Sequence, residues 1–423
     1  MSHSHLHTDE SRLPPADARR ARLILALLVI PLLAATVAGV VLLWPRGETP
    51  VRSVPLTGPG VTLESGTVVE VPEGGAAEGS VRVEVLTGAG AGLRVPVQVP
   101  PEVMPSVDVG DDLRLLLTPQ AIGTGSPYVF WEFEREAPVG ILALVYAVCV
   151  LAVARWRGLA AMAGLASSLA VLLMFVVPGL MLGRPPLLVA LVASGAMLFL
   201  SIYLAHGVSI RTTTALLGTF IGLAVTVVLG MWGTDAANLS GGGSEQAVTL
   251  SMTFPELTLS ELLLCGMVIA GLGALNDVTI TQASAVWELH AANPALSRRR
   301  LFGQGMRIGR DHIASTVYTL AFAYVGTALP MILLVALVDR TFMDTLMAGE
   351  IAAEVVGTLV ASIGLVLAIP ATTAIAALLV RTGGRRGHDH HAGEGEPGST
   401  SPARQVVPSH SGPGWAGDAP RGE

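Results

Sequence analysis

Residues 262–282 read LLLCGMVIAGLGALNDVTITQ, an apolar run that becomes polar at Asn276 and Asp277. About 20 consecutive apolar residues in a helix are enough to cross the hydrocarbon core of a bilayer. Seven further runs of this kind occur, at 23–44, 137–154, 159–182, 187–205, 212–231, 313–338 and 355–380. Apolar residues make up 51% of the chain and charged residues only 13%, against about 25% charged in an average soluble domain. The sequence therefore predicts a mainly α fold, a polytopic transmembrane helix bundle of about eight spans.

The distribution of arginine predicts the orientation of these spans, because cytoplasmic connections are enriched in basic residues. Arg19, Arg20 and Arg22 lie just before the first span, and the connection 283–312 contains five arginines, whereas 232–261 contains none. We therefore expect a multi-pass protein of the cell (plasma) membrane, surrounded by the lipid bilayer, with both termini cytoplasmic. A cleaved signal peptide at 20–44 is the alternative, although this apolar run is longer than the usual 7–15 residues. Either way, residues 46–136 lie outside.

The segment 46–136 differs in character from the spans. Short alternating runs at 68–71, 81–85 and 113–117 are typical of β-strands, and Gly- and Pro-rich turns separate them. About five such strands predict a small extracytoplasmic β-barrel-like domain of the OB or SH3-like type. A folded spacer or a module that docks an extracytoplasmic protein partner is the interpretation that we favour over a ligand-binding module.

The rest of the chain divides by composition. Residues 1–22 and 383–423 are rich in Gly, Pro, Ser and His and are predicted to be disordered cytoplasmic tails, with a first span at 23–44 and a seven-span domain at 137–382. Without a fixed geometry the tail histidines are poor metal ligands, so we expect no metal and no cofactor. The net charge of −7 gives no indication of nucleic-acid binding. The tail histidines in question are His3, His5, His7, His388, His390 and His391.

A polar stripe on span six is the strongest candidate for a site. Asp277, Thr281, Ser284 and Glu288 recur at the spacing of one helix face, and Asn276 precedes them. A carboxylate in the membrane costs about 2.5–3.5 kcal/mol on insertion scales, so such a group is expected to have a partner or a function. A structural polar cluster and a misplaced helix end are the two alternatives.

Span seven opens with a similar face, formed by Asp311, Ser315 and Thr319. Asp277 lies 16 residues after Glu261 in the sequence, about 24 Å along a helix, and so falls in the cytoplasmic third of the bilayer. The two faces together predict a polar vestibule that opens towards the cytoplasm and serves as an ion or solute pathway.

Two segments resemble the signature of the YibE/F-like membrane proteins. The first is 271–289, GLGALNDVTITQASAVWEL, and the second is 309–313, GRDHI, which leads into a Ser/Thr-rich helix containing Ala323 and Tyr324. The resemblance extends over roughly 23–380. It implies a bacterial integral membrane protein with an N-terminal span, a small β-rich domain and a multi-span block, and it supplies no established active-site residue.

The first functional hypothesis is a permease for an ion or a small polar solute of unknown identity, with Asp277 and Asp311 as cation or proton ligands. Spans three to five and six to eight enter the membrane from opposite sides, and Gly218-Thr219 and Gly357-Thr358 occupy comparable places in spans five and eight, as inverted repeats would. The alternative is a non-transporting assembly or signalling protein. We expect no enzymatic activity and no catalytic residue, because HExxH, GxSxG and paired-aspartate motifs are missing from the sequence.

Overall fold

Helices account for most of the structure, as the apolar runs predict. The computed structural model describes residues 15–72, 79–119, 127–339 and 341–380, so the tail histidines lie outside the described part of the chain. The helix Glu136–Val171 leads through a π-helical turn, Leu172–Val176, into the short helix Val177–Met181. The helices are α1 Pro15–Leu43, α2 Glu136–Val171, α3 Val177–Met181, α4 Pro186–His206, α5 Ile210–Ala236, α6 Glu245–Thr253, α7 Leu259–Ala292, α8 Arg298–Ala336, α9 Phe342–Leu346 and α10 Gly349–Leu379.

Five strands between α1 and α2 form a closed barrel, which confirms the predicted β-rich domain. They are β1 Thr62–Glu70, β2 Ser80–Val85, β3 Arg94–Gln98, β4 Asp112–Leu117 and β5 Tyr128–Phe133. Their order is β1-β2-β3-β5-β4, and β3 and β5 pair in parallel, a Greek-key arrangement of the OB type. Val81, Val83 and Val85 alternate inward and are fully buried. Because valine and leucine side chains fill the interior, the barrel has a packed core.

The α2 helix is broken at Arg155, which has a left-handed φ of 54°. A Cβ on Gly158 would lie 2.7 Å from the carbonyl oxygen of Val150, whereas residues eight apart in one helix are separated by about 12 Å. The chain therefore turns back on itself here, between the predicted runs 137–154 and 159–182. By length and composition alone, seven helices among the described residues are able to span a membrane, with Glu136–Met181 counted as one of them.

Two helices extend beyond the apolar runs from which they were predicted. The α1 helix begins at Pro15, because residues 18–22, Ala-Arg-Arg-Ala-Arg, are strong helix formers. The expected connection 283–312 is mostly helical as well, and only residues 293–297 separate α7 from α8. Ser297 caps α8, its hydroxyl accepting a hydrogen bond from the Arg300 backbone N–H at 3.4 Å. An apolar pattern marks the membrane-sized part of such a helix and not its ends.

The core of the bundle is an antiparallel pair, α5 and α10. Glycines mark their closest approach: a Cβ on Gly222 would lie 3.2 Å from the Gly364 carbonyl oxygen, and a Cβ on Gly364 would lie 3.2 Å from that of Gly222. A side chain on Gly218 would collide with Thr372. Small residues let helix backbones approach closely where apolar surroundings provide little other driving force. The α7 helix packs against both members of the pair, and α8 packs against α7 and α10.

Candidate functional site

The predicted stripe of α7 lies on the outer side of that helix. Asp277 and Glu288 are exposed, and Thr281 and Ser284 are half-buried. The Ser284 hydroxyl donates a hydrogen bond to the carbonyl of Ile280 at 2.8 Å, within its own helix. The stripe is therefore continuous, as its spacing predicts, but it is not directed into the contacts between α7 and its main neighbours.

Asn276 is the predicted residue that reaches inward. It is half-buried, and its Oδ1 atom is buried with no hydrogen-bond partner among the described residues. Its backbone carbonyl accepts a hydrogen bond from the Thr279 hydroxyl at 3.1 Å. Asn276 thus adjoins the opposite, buried face of α7.

That buried face contains four side chains that we call the interhelical polar cluster: Thr219 of α5, Thr279 and Gln282 of α7, and Thr373 of α10. The hydroxyl oxygens of Thr219 and Thr279 lie 2.6 Å apart. The Gln282 amide nitrogen donates to the Gly305 carbonyl at 2.9 Å and to Thr373 Oγ1 at 2.7 Å. With 100° of rotation per residue, Gln282 is about 140° around α7 from Asp277. The cluster therefore joins α5, α7, α8 and α10.

One acceptor in the cluster is left unused. Gln282 is 1% exposed, and its Oε1 atom has no hydrogen-bond partner among the described residues. It faces Gly309 of α8, where an added Cβ would lie 3.1 Å from it. A buried amide oxygen without a donor is unfavourable by about 1–3 kcal/mol, so this position would readily accept a hydrogen bond from a water molecule or a polar solute.

The predicted residues of α8 lie outside this cluster. Asp311, Ser315 and Thr319 are exposed. The Ser315 hydroxyl donates to the His312 carbonyl, and the Thr319 hydroxyl donates to the Ser315 carbonyl, both at 3.0 Å. Among the described residues, α8 meets the buried face of α7 through Gly305 and Gly309, and the two acidic faces are not brought together there.

Asp277 belongs instead to a charged group at one end of the bundle. Its carboxylate acts electrostatically on the imidazole of His206, as do the guanidinium groups of Arg211 and Arg157. These residues come from the end of α4, the start of α5 and the turn in α2. Asp277 therefore lies at the same end of the bundle as Arg157 and Arg211.

The sequence did contain a signal for the cluster that the stripe argument overlooked. Thr279 and Gln282 stand within the same motif as Asp277, and Gly305 and Gly309 are four residues apart, the spacing of small residues at close helix contacts. Among the described residues, no group of three or more His, Cys, Asp or Glu side chains is positioned to hold a metal ion.

Comparison with known proteins identifies a family. A family model described as YibE/F-like protein matches residues 142–382, more than half of the chain. No curated protein and no solved structure shows a significant match to the chain. The matched region begins within α2 and ends just after α10, so it contains the whole interhelical polar cluster and the charged group around Asp277.

Proposed function

This chain belongs to the YibE/F-like family, and from that premise we propose that it is a multi-pass protein of the cell membrane that moves an ion or a small polar solute. In this proposal eight helical segments cross the bilayer, both termini are cytoplasmic and the barrel is extracytoplasmic. The break at Arg155 supplies the eighth segment, because it divides the apolar segment Glu136–Met181 in two.

The outward-facing side chains support a lipid environment. Val153 and Leu337 are 87% and 83% exposed, and many other large apolar side chains on the helices are exposed with them. A continuous apolar surface of this extent is unfavourable in water and favourable in hydrocarbon. The bilayer would cover it.

The observation that carries the transport proposal is the interhelical polar cluster. Hydroxyl and amide groups that lie at a junction of four apolar helices resemble the groups with which transporters replace the hydration shell of a solute. The unused Oε1 of Gln282 is the acceptor that we expect a solute to meet. Asp277, with His206 and Arg211 nearby, would select or guide the solute at the cytoplasmic entrance.

A closed state fits the packing between α5 and α7. Leu264, Val268, Leu272 and Leu275 are all buried along α7. Leu264 and Leu275 pack where glycines of α5, Gly230 and Gly222, leave room for them. These leucines separate the cluster from the extracytoplasmic end of the bundle, so transport would require α5 and α7 to move apart.

The α5–α10 pair is consistent with an inverted repeat, because each is the last helix of one predicted three-span half and the two run antiparallel. The other helices of the two halves do not pack in the way that an inverted repeat would require. The α7 helix packs on both α5 and α10, whereas α2, its counterpart, packs mainly on α4. We therefore rest the proposal on the cluster and not on symmetry.

Purified protein in liposomes, tested with a panel of ions and small polar solutes, examines the proposal directly. We expect a flux that Gln282→Leu and Asp277→Asn each reduce at least tenfold, with insertion and gel-filtration behaviour unchanged. Glu245→Gln, which removes an exposed carboxylate of α6, is the matched control and should retain the flux. If neither Gln282→Leu nor Asp277→Asn changes the flux, these two residues take no part in transport.

The packed barrel favours a second candidate, a non-transporting assembly protein that docks a partner. Its interior is filled, whereas Leu86 and Leu93 are 53% and 57% exposed on its surface. A photo-crosslinking residue in place of Leu93 should then capture one extracytoplasmic protein in cells, and the same residue in place of the bundle residue Leu337 should not. Capture at both positions or at neither would argue against this role.

A further inference from the structure

A cavity of about 440 Å³ lies between the end of α5 and the start of α7, at the opposite end of the bundle from Asp277. Thr234 stands 15 residues after Thr219, about 22 Å along the helix, so the cavity is separate from the interhelical polar cluster. Its polar lining comes from Thr234, Asp235, Asn238, Ser240, Ser260 and Glu261.

One wall of the cavity contains an unused polar group. Thr234 is 9% exposed, and its Oγ1 atom is buried with no hydrogen-bond partner among the described residues. The other threonines of α5 that are buried to this extent include Thr214, Thr219 and Thr226, and each of them donates to the carbonyl four residues earlier. Thr234 departs from that pattern where it lines the cavity, so its hydroxyl is available to a group bound there.

The chain builds this cavity with an ordered cap. The Leu239 backbone N–H donates to the Thr234 carbonyl at 2.9 Å, and Asn238 adopts a left-handed φ of 49°, a conformation that asparagine tolerates. Leu239 is 8% exposed, and Gly241 lies against the backbone of Leu259, where a side chain would collide. The segment after α5 is thus packed onto the start of α7, and it positions Asn238 and Ser240 on the cavity wall.

The electrostatic character of the region is negative. Asp235 and Glu261 line the cavity, and the segment 232–261 contains no arginine or lysine. Glu350 at the start of α10 packs against Gly243 of the same segment and adds a carboxylate to this end of the bundle. The two lining carboxylates, an amide and three hydroxyls are the oxygen ligands that hard cations prefer.

We propose that this cavity binds a hard divalent cation, which Asp235 and Glu261 attract and which is held largely through its water shell. The volume exceeds that of a bare ion many times over, since a water molecule occupies about 30 Å³ in the liquid. Organic ammonium ions are recognised by aromatic rings, and the residues that line the cavity contain none. Thr234 Oγ1 and Asn238 would anchor the ion's water ligands. With only two lining carboxylates, we expect a dissociation constant on the order of 10⁻⁴–10⁻³ M.

Binding of Mn²⁺ to the purified full-length protein tests this inference without reference to transport. The electron paramagnetic resonance signal of free Mn²⁺ should report one saturable site, and Mg²⁺ or Ca²⁺ should compete for it where Na⁺ at equal ionic strength does not. The double variant Asp235→Asn/Glu261→Gln should weaken binding at least tenfold. Glu256→Gln, which removes an exposed carboxylate of the same segment, should leave it unchanged.

The substitution Thr234→Val distinguishes a defined binding site from nonspecific attraction to an acidic surface. It removes the unused hydroxyl and keeps the shape of the side chain. We expect it to weaken Mn²⁺ binding about threefold to tenfold while the melting temperature without metal stays equal or rises. Equal binding by the wild type, the double variant and Thr234→Val would overturn the proposal, as would competition by Na⁺. A protein that binds Mn²⁺ as described but carries no flux would refute the transport proposal alone.

Discussion

The amide nitrogen of Gln282 lies 2.7 Å from Thr373 Oγ1, and this hydrogen bond joins α7 to α10 across 91 residues of sequence. Thr373 also donates its own proton to the Ile369 carbonyl at 2.7 Å, so the hydroxyl acts as acceptor and donor at once. Both residues are at most 1% exposed. The pair therefore fixes the relative position of two helices at a place buried from solvent.

A double-mutant cycle on this pair measures that contribution. We expect Gln282→Leu and Thr373→Val each to destabilise the protein. Their coupling energy should be about 0.6 kcal/mol and at most about 1.7 kcal/mol, the average and the maximum found for hydrogen bonds between membrane helices. Thermal or denaturant unfolding in detergent gives the four stabilities. Ser284→Ala, which removes a hydroxyl bonded only within its own helix, is the control and should couple to Thr373→Val by a negligible amount.

The close contact of α8 with its neighbours gives a second prediction. A Cβ on Gly309 would lie 2.6 Å from Ile369 Cγ2 and 3.1 Å from Gln282 Oε1, and both side chains are buried and unable to move aside. Gly309→Ala should therefore destabilise the protein by about 1–3 kcal/mol, the usual effect of overpacking. Stability in detergent is the measurement.

Gly303 provides the matched control for this substitution on the same helix. It is exposed, and no atom lies within 4 Å of the position of an added Cβ. Gly303→Ala should leave stability unchanged or raise it by up to about 1 kcal/mol, because alanine favours the helix over glycine. If Gly303→Ala and Gly309→Ala reduce stability by similar amounts, close helix packing at Gly309 is not the cause of the loss.

The barrel should lose stability at high pH through Tyr128. Burial, and secondarily the carboxylate of Glu64, raises the pKa of the Tyr128 phenol above its ordinary value of 10.0. The neutral phenol is thus favoured in the folded state. Its contribution to stability is fully present below pH 10 and is lost as the pH rises through the folded-state pKa.

Comparison of Tyr128→Phe with the wild type isolates this effect. Phenylalanine cannot ionise, so the variant's melting temperature should fall less between pH 9 and pH 11 than that of the wild type, followed by near-ultraviolet circular dichroism of the full chain. Tyr318→Phe, which alters an exposed tyrosine of α8, should show the wild-type slope. If Tyr128→Phe also retains that slope, Tyr128 does not titrate as the buried environment requires.

The sequence predicted the positions of the helices and strands better than it predicted which face of a helix is buried. Alternating valines identified the barrel strands, and apolar runs located the helices, because burial dictates both patterns. The sequence did not indicate which face of α7 is buried. Polar residues occur on both of its faces, Asp277 and Ser284 on one and Thr279 and Gln282 on the other. Only the neighbouring helices decide which face is buried, and that is a property of tertiary packing.

Arg155 now bears on the number of membrane spans. If the two helical arms that meet at Arg155 each cross the bilayer, the barrel and α6 lie on the same side of the membrane. If Glu136–Met181 crossed the bilayer once, they would lie on opposite sides. Single cysteines distinguish these topologies in a chain whose native Cys149 and Cys265 are replaced by alanine. Suitable positions are Leu93 in the barrel, Thr249 in α6 and Ala295 in the turn before α8, all of which are exposed.

A membrane-impermeant maleimide applied to intact cells should label Leu93→Cys and Thr249→Cys, whereas Ala295→Cys should react only after the membrane is permeabilised. The reason is the arginine distribution, which favours a cytoplasmic location for the turn between α7 and α8 and an external one for 232–261. Labelling of Leu93→Cys together with Ala295→Cys, and not of Thr249→Cys, would establish a single crossing by Glu136–Met181. The turn at Arg155 would then lie within the membrane, with a charged side chain that needs a partner there.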